Sequence, residues 1–224
     1  MAPNEPQIKI CGLRDPDMAA EAAALGADAI GCVFFAKSPR NVSPDTARAI
    51  RAAVPDAVGI IGVFADIDYD GAMSIVDRCG LDGVQLHGHE TAETVARLRG
   101  QGLIVLKALF TARAPGIDRA GDYDPTAFLV EAGKGPLPGG NAETWQWQDV
   151  RGFSEHHPLV LAGGLNADTV AGAIATAAPD AVDVSSGVEI RPGVKSLEKI
   201  AAFIAAVRQC KGAGLKGRRL RKVF

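Results

Sequence analysis

At 224 residues, 47% hydrophobic and 22% charged, the chain can bury one large core without disulfides, which excludes both a disordered polymer and a disulfide-stapled miniprotein. Met1 to Pro6 lacks the basic-then-apolar order of a signal peptide and no apolar run reaches spanning length, so a cytoplasmic protein without membrane contact is expected. Net charge is −2, but Lys211, Lys216, Arg218, Arg219, Arg221 and Lys222 put six positive charges in the last segment and leave the body at −8, which argues against a nucleic-acid partner and predicts a disordered basic tail over 211–224.

The remainder, residues 1–210, reads as one domain in which strand-like and helix-like segments alternate from the start. Ile8-Lys9-Ile10-Cys11 is the first apolar run, and alanine-rich Met18 to Leu25, stopped by Gly26, connects it to Ala29 through Phe35. Ser43-Pro44-Asp45 places an N-cap serine before a proline at the first helical position. Val58 to Phe64 is a third strand, Tyr69 to Cys79 a helix, Gly83 to Leu86 a fourth strand, Ala92 to Arg99 a helix and Ile104 to Ala108 a fifth strand. Thr111 to Tyr123 is too rich in Gly, Pro and charge to predict a helix.

Phe128 to Glu131 makes the sixth strand, followed by a Gly/Pro-rich loop over Gly133 to Asn141 and by Trp145 and Trp147, which pack that loop or shield a ligand. Leu159 to Ala162 then stops at Gly163-Gly164, a helix-like stretch opens at Asn166-Ala167-Asp168, and an eighth strand ends at Ser185-Ser186-Gly187. Leu197 to Val207 is a closing amphipathic helix. Eight buried strands alternating with helices predict a closed parallel βα barrel, and the absence of G-x-G-x-x-G after the first strand argues against a Rossmann sheet.

In such a barrel the functional residues sit at the C-terminal ends of the strands. Those ends are Cys11, Ser38 to Arg40, Asp66, Gln85 and His87, Lys107, Glu131, Gly163-Gly164 and Ser185-Ser186, and they are expected to form one ring. Small residues after the last two strands leave backbone N–H groups bare, and a helix N-terminus aimed there favours a phosphate. The same glycines and serines, taken singly, only make turns. No His, Asp or Glu cluster has metal-ligand spacing, and Cys11, Cys32, Cys79 and Cys210 have no CxxC spacing; neither cofactor nor metal is predicted. A thiol and a carboxyl on opposite sides of a phosphosugar can act as base and acid of an isomerisation, while Cys11 also suits a small core position and His87 simple packing. Arg40 is an exposed loop cation unless it forks onto a substrate carboxylate.

Lys9-Ile10-Cys11-Gly12-Leu13, Ser38-Pro39-Arg40, Val84-Gln85-Leu86-His87-Gly88, Leu161 to Leu165 and Asp183 to Glu189, in this order, resemble the phosphoribosylanthranilate isomerase family of tryptophan biosynthesis. The resemblance implies a TIM barrel without cofactor, working as a monomer on a phosphosugar, and an Amadori rearrangement. It implies Cys11 as the base and Glu131 in the place of the acid. Substrate contacts would come from Arg40, Gln85, His87 and Asp183, and phosphate contacts from Gly140, Gly163, Gly164, Ser185, Ser186 and Gly187.

The chain departs from the family pattern in one loop. Glu131 stands where the family has an aspartate, and Gly139-Gly140-Asn141-Ala142 followed by Glu143 replaces a Gly-Gly-Thr/Ser-Gly turn. The departures leave two alternatives open: a barrel paralogue acting on another phosphorylated aminosugar, or a phosphosugar-binding protein without catalysis.

Overall fold

The structure, a computed structural model, describes residues 5–133, 145–210 and 219–224. Eight parallel strands close on themselves in chain order: β1 (Gln7–Cys11), β2 (Ala29–Val33), β3 (Gly59–Phe64), β4 (Gly83–Leu86), β5 (Ile104–Phe110), β6 (Ala127–Glu131), β7 (Leu159–Leu161) and β8 (Ala181–Val184), with β8 pairing back onto β1. The predicted barrel therefore forms, with strand ends moved by a residue or two. The helices are α1 (Pro16–Ala24), α2 (Pro44–Ala53), α3 (Tyr69–Cys79), α4 (Ala92–Gly100), α5 (Arg151–His156), α6 (Val170–Ala177) and α7 (Leu197–Arg208). Asp15, Ser43, Asp68, Thr91 and Ser196 each accept a first-turn N–H with their side chains, a cap worth about 1 kcal/mol. Between β5 and β6 there is only a 3-10 turn, Ile117–Asp122, as the Gly/Pro content implied.

Strand alternation sorts the side chains. Ile8 and Ile10 of β1 face the helices with Ile30, Ile60, Val84, Val130 and Val182, while Ala29, Ile61, Leu106, Ala108, Leu129, Val160 and Ala181 fill the barrel axis. The axis side of β1 carries Gln7, Lys9 and Cys11, all buried. A lysine and a thiol are thus stacked inside the barrel below its C-terminal mouth.

At the N-terminal mouth one device recurs on alternate strands. Asp28, Asp82, Thr126 and Asp180, the residues just before β2, β4, β6 and β8, reach back to the preceding strand and accept the N–H of Ile8 (2.7 Å), Ile60 (2.7 Å), Val105 (3.0 Å) and Leu159 (2.9 Å). These N–H groups lie at the rim, where the ladder offers no partner, and an unpaired buried donor is costly. Each aspartate also meets a guanidinium: Arg208 at 3.3 Å from Asp28, Arg51 at 2.8 Å from Asp82 and Arg221 at 3.4 Å from Asp180.

Arg221 belongs to the segment expected to be disordered, and here the structure corrects the sequence reading for residues 219–224. Its N–H donates to Asp180 Oδ1 (2.9 Å), and its guanidinium donates to the carbonyls of Ser154, Glu155 and His157 around the end of α5. Gln7 Oε1 accepts from the N–H groups of Val223 (2.6 Å) and Phe224 (3.0 Å), and both of those side chains pack on the barrel interior. Leu220 is buried against Ala178. The end of the chain is therefore a stopper in the lower mouth; residues 211–218 lie outside the described part.

Candidate active site

A cleft opens at the C-terminal mouth, walled by Cys11, Ser38, Arg40, Gln85, His87, Glu131, Asp183 and Ser185 with apolar Val33, Phe35, Val63 and Phe64. Most of the predicted ring is thus one site. Pro39, Gly163, Gly164 and Ser186 do not line this cleft, and Lys107 and Asp66 are turned to another task. Lys107 faces away from the axis, one position out of step with Ala108, and its Nζ donates to Gly88 O (2.6 Å) and Glu90 Oε2 (2.9 Å). Asp66 is exposed and accepts the His89 N–H (2.7 Å). Both hold the loop after β4 rather than a ligand.

Cys11 ends β1, and Lys9, one alternation below it, is fully buried with its Nζ 2.8 Å from Asp183 Oδ1 on β8. A Cβ added to Gly31 of β2 would lie 2.8 Å from Cys11 Sγ and 3.1 Å from Lys9 Nζ, so that glycine leaves the space the pair occupies. Burial pushes the Cys11 thiol above its ordinary value and the Lys9 ammonium opposes this. Burial alone would lower Lys9, but Asp183 and then Cys11 outweigh it and leave the ammonium raised above its ordinary value. The resting group is a thiol with a permanent cation beside it, ready to stabilise a thiolate. Asp183, expected to touch substrate, is engaged by Lys9.

Across the cleft, Gln85 and His87 project inward from β4 and its end. Gln85 Nε2 lies 2.9 Å from His87 Nδ1, and His87 Nε2 lies 3.3 Å from Glu131 Oε1 at the end of β6. All three side chains are buried. Phe110 meets the imidazole edge-on, with ring centroids 5.4 Å apart.

Arg40 is not the exposed cation that its loop context suggested. It is 5% exposed and forks onto Glu189, with Nε–Oε1 and Nη2–Oε2 both 2.8 Å. Lys195 Nζ donates to Glu189 Oε1 (2.9 Å) and to Ser185 O (2.9 Å). Burial raises the Glu189 carboxyl, but Arg40 and Lys195 outweigh it and hold it below its ordinary value. Glu189 and Lys195 sit on a small hairpin, β9 (Glu189–Arg191) and β10 (Val194–Lys195), between β8 and α7. Lys9, Glu189 and Lys195 were missed as site residues. For Lys9 the signal was its two-residue spacing from Cys11 within a strand; Glu189 meets a partner 149 positions away, which no local pattern discloses.

The two small-residue loops do come together. Gly163 (φ 84°) and Gly164 (φ 69°) adopt left-handed backbone, and a Cβ on Gly187 would fall 1.9 Å from Leu165 O, so the β8 loop can lie on the β7 loop only as glycine. Ser185, Ser186 and Gly187 are half-buried. Ahead of α6, Asn166 Oδ1 accepts the N–H groups of Asp168 (2.9 Å) and Thr169 (3.0 Å). Trp145 packs the β7 loop, donating its indole N–H to Ala162 O at 3.0 Å. Gly140 and the remainder of its loop, 134–144, lie outside the described residues. Among the described residues no group of three or more His, Cys, Asp or Glu could hold a metal ion, and no helix is long and apolar enough to cross a membrane.

The family model for N-(5'-phosphoribosyl)anthranilate (PRA) isomerase matches residues 8–206. A curated protein of Desulfatibacillum aliphaticivorans, N-(5'-phosphoribosyl)anthranilate isomerase, is 49% identical over 203 residues, covering 91% of this chain and 93% of that protein. The solved phosphoribosyl anthranilate isomerase of Thermotoga maritima is similar with a TM-score of 0.82 at 33% identity, covering 91% and 99% of the two chains. A further solved isomerase, in complex with reduced 1-(o-carboxyphenylamino)-1-deoxyribulose 5-phosphate, gives a TM-score of 0.79 at 32% identity with the same coverage. Fold, motif order and nearly full-length similarity agree, and the chain belongs to the N-(5'-phosphoribosyl)anthranilate isomerase family.

Proposed function

We propose that this chain catalyses the Amadori rearrangement of N-(5'-phosphoribosyl)anthranilate to 1-(2-carboxyphenylamino)-1-deoxyribulose 5-phosphate, with Glu131 as general acid and Cys11 as general base. The observation that carries the assignment is one cleft walled by a thiol backed by a buried ammonium and by a carboxyl held by an imidazole. Glu131 gives its proton to the ring oxygen as the bond from that oxygen to C1' breaks, leaving an iminium. Cys11 first gives its own proton to solvent; as thiolate beside Lys9 it then takes the C2' proton, and the electron pair of the C–H bond forms the enolamine, which tautomerises to the ketone. Each group contributes roughly 10²–10⁴ in rate by such transfer.

The phosphate rests in the loops of Gly163-Gly164 and Ser185-Ser186-Gly187, with Gly140 as a further contact and Lys195 adding charge. Arg40, fixed by Glu189, meets the anthranilate carboxylate, and Asp183 acts through Lys9. The complex of a family member with a reduced product analogue supports this substrate class. A free thiol base suits the reducing cytoplasm.

A different phosphorylated aminosugar is the second reading, favoured by the one observation that two nitrogens of Arg40 are already committed to Glu189. Substrate generated in situ separates the two. Loss of anthranilate-derivative fluorescence that depends on Cys11 supports the isomerase. A folded protein without turnover sends the search to other phosphosugars.

A further inference from the structure

We propose that Gln85 and His87 form a relay that positions Glu131 and sets how readily it releases its proton, rather than contacting substrate. The inference rests on the reading of Glu131 as the acid. Gln85 and His87 are two residues apart along β4, so both point to the barrel axis and their side chains touch. With the Gln85 amide N–H on Nδ1, that nitrogen is the acceptor, and a neutral imidazole must then carry its proton on Nε2. Nε2 is the atom facing Glu131, at 3.3 Å. Gln85 Oε1 is buried with no hydrogen-bond partner, so the contact with Nδ1 is the side-chain hydrogen bond that ties this amide to the site.

The N–H of His87 is a weak donor to a protonated carboxyl and a strong one to a carboxylate. It therefore strengthens as Glu131 loses its proton, stabilising the charge that develops in the acid step more than the resting state. The backbone that carries the ring is fixed: the main-chain N–H of His87 donates to Phe64 O (2.8 Å), and the next residues are tied down where Lys107 meets Gly88 O and Glu90, while Phe110 bounds one side of the imidazole. Glutamate also reaches where aspartate does not: one methylene less would withdraw the carboxylate by roughly 1.5 Å from Nε2.

Among the described residues, the other charged and titratable groups near Glu131 are Cys11, Arg40 and Asp183 in the cleft wall, Lys9 behind Cys11, and Arg113 stacked on Phe110, all common to the parent and the variants below. His87→Leu removes the donor: kcat falls roughly tenfold with KM nearly unchanged. Gln85→Glu accepts from Nδ1–H, draws the ring proton off Nε2 and lowers kcat in the same way. His87→Gln restores an N–H donor and recovers part of the rate. A purely structural role gives no such recovery, and a substrate contact raises KM instead; either result overturns the proposal. Imidazole ¹⁵N NMR of the ligand-free parent at mildly alkaline pH reads the tautomer without any turnover. A neutral ring with its proton on Nε2 is expected, and a proton on Nδ1 overturns the relay even in an active enzyme. A parent with the expected tautomer and no turnover leaves the relay standing and removes the isomerase reading.

Discussion

The lower mouth of the barrel closes its charges: Asp28, Asp82 and Asp180 each hold a rim N–H and a guanidinium, and the chain end packs over them. The upper mouth keeps its charges facing an open cleft, with Lys9, Asp183, Arg40, Glu189 and Glu131 buried in its walls. Ion pairs are formed in both places, Lys9–Asp183 and Arg40–Glu189 above as well as the three below; what differs is that only those above stand beside an open cleft. In a βα barrel this separates the end that stabilises from the end that reacts. Substitutions below should therefore cost stability and leave turnover, and substitutions above should do the reverse.

The largest expected effects test the upper mouth. Cys11→Ser and Glu131→Gln should each lower kcat by on the order of 10²–10⁴ while the melting temperature stays near the parent's, read by substrate fluorescence and calorimetry. Lys9→Met should blur the comparison in an informative way. It leaves Asp183 buried and unpaired, which costs about 3–5 kcal/mol, and it withdraws the cation from Cys11, so stability and kcat fall together. The double variant Lys9→Met with Asp183→Asn should regain much of the stability and none of the rate.

Next come effects confined to the lower mouth. A chain ending at residue 218 loses the Val223 and Phe224 packing and the Arg221 bonds, and should unfold about 2–4 kcal/mol more easily in urea with kcat unchanged. The smallest effect concerns pH. Glu189 has its carboxyl held below the ordinary 4.5 despite burial, so its contribution to stability is present above that value and is lost as pH falls through the lower, folded-state value. The difference in melting temperature between the parent and Glu189→Gln should be widest near neutrality and should shrink below about pH 4.

Much of this arrangement was legible beforehand, because the features concerned are local. Short apolar runs, Ser43-Pro44 before a helix and Gly26 after another give the elements, and the strand ends give Cys11, Gln85, His87 and Glu131. Facing direction was harder: Lys107 lies within one residue of the ring yet points the other way, which alternation along β5 decides only once the strand's extent to Phe110 is known. Partners across the barrel were not legible at all, so the Arg40–Glu189 fork and the Lys9–Asp183 pair went unread. The tail was misjudged because its charges were weighed and its apolar residues were not; Leu220, Val223 and Phe224 carry its packing. Helix α5, six residues long, is too short to show a period.

The most direct test of the division between the two mouths is a paired assay of turnover and melting temperature on Cys11→Ala and on the chain ending at residue 218. The account predicts an inert Cys11→Ala protein that melts with the parent, and a truncated protein that melts earlier and turns over at the parental rate. Parental turnover by Cys11→Ala, or loss of turnover in a folded truncated chain, would contradict it.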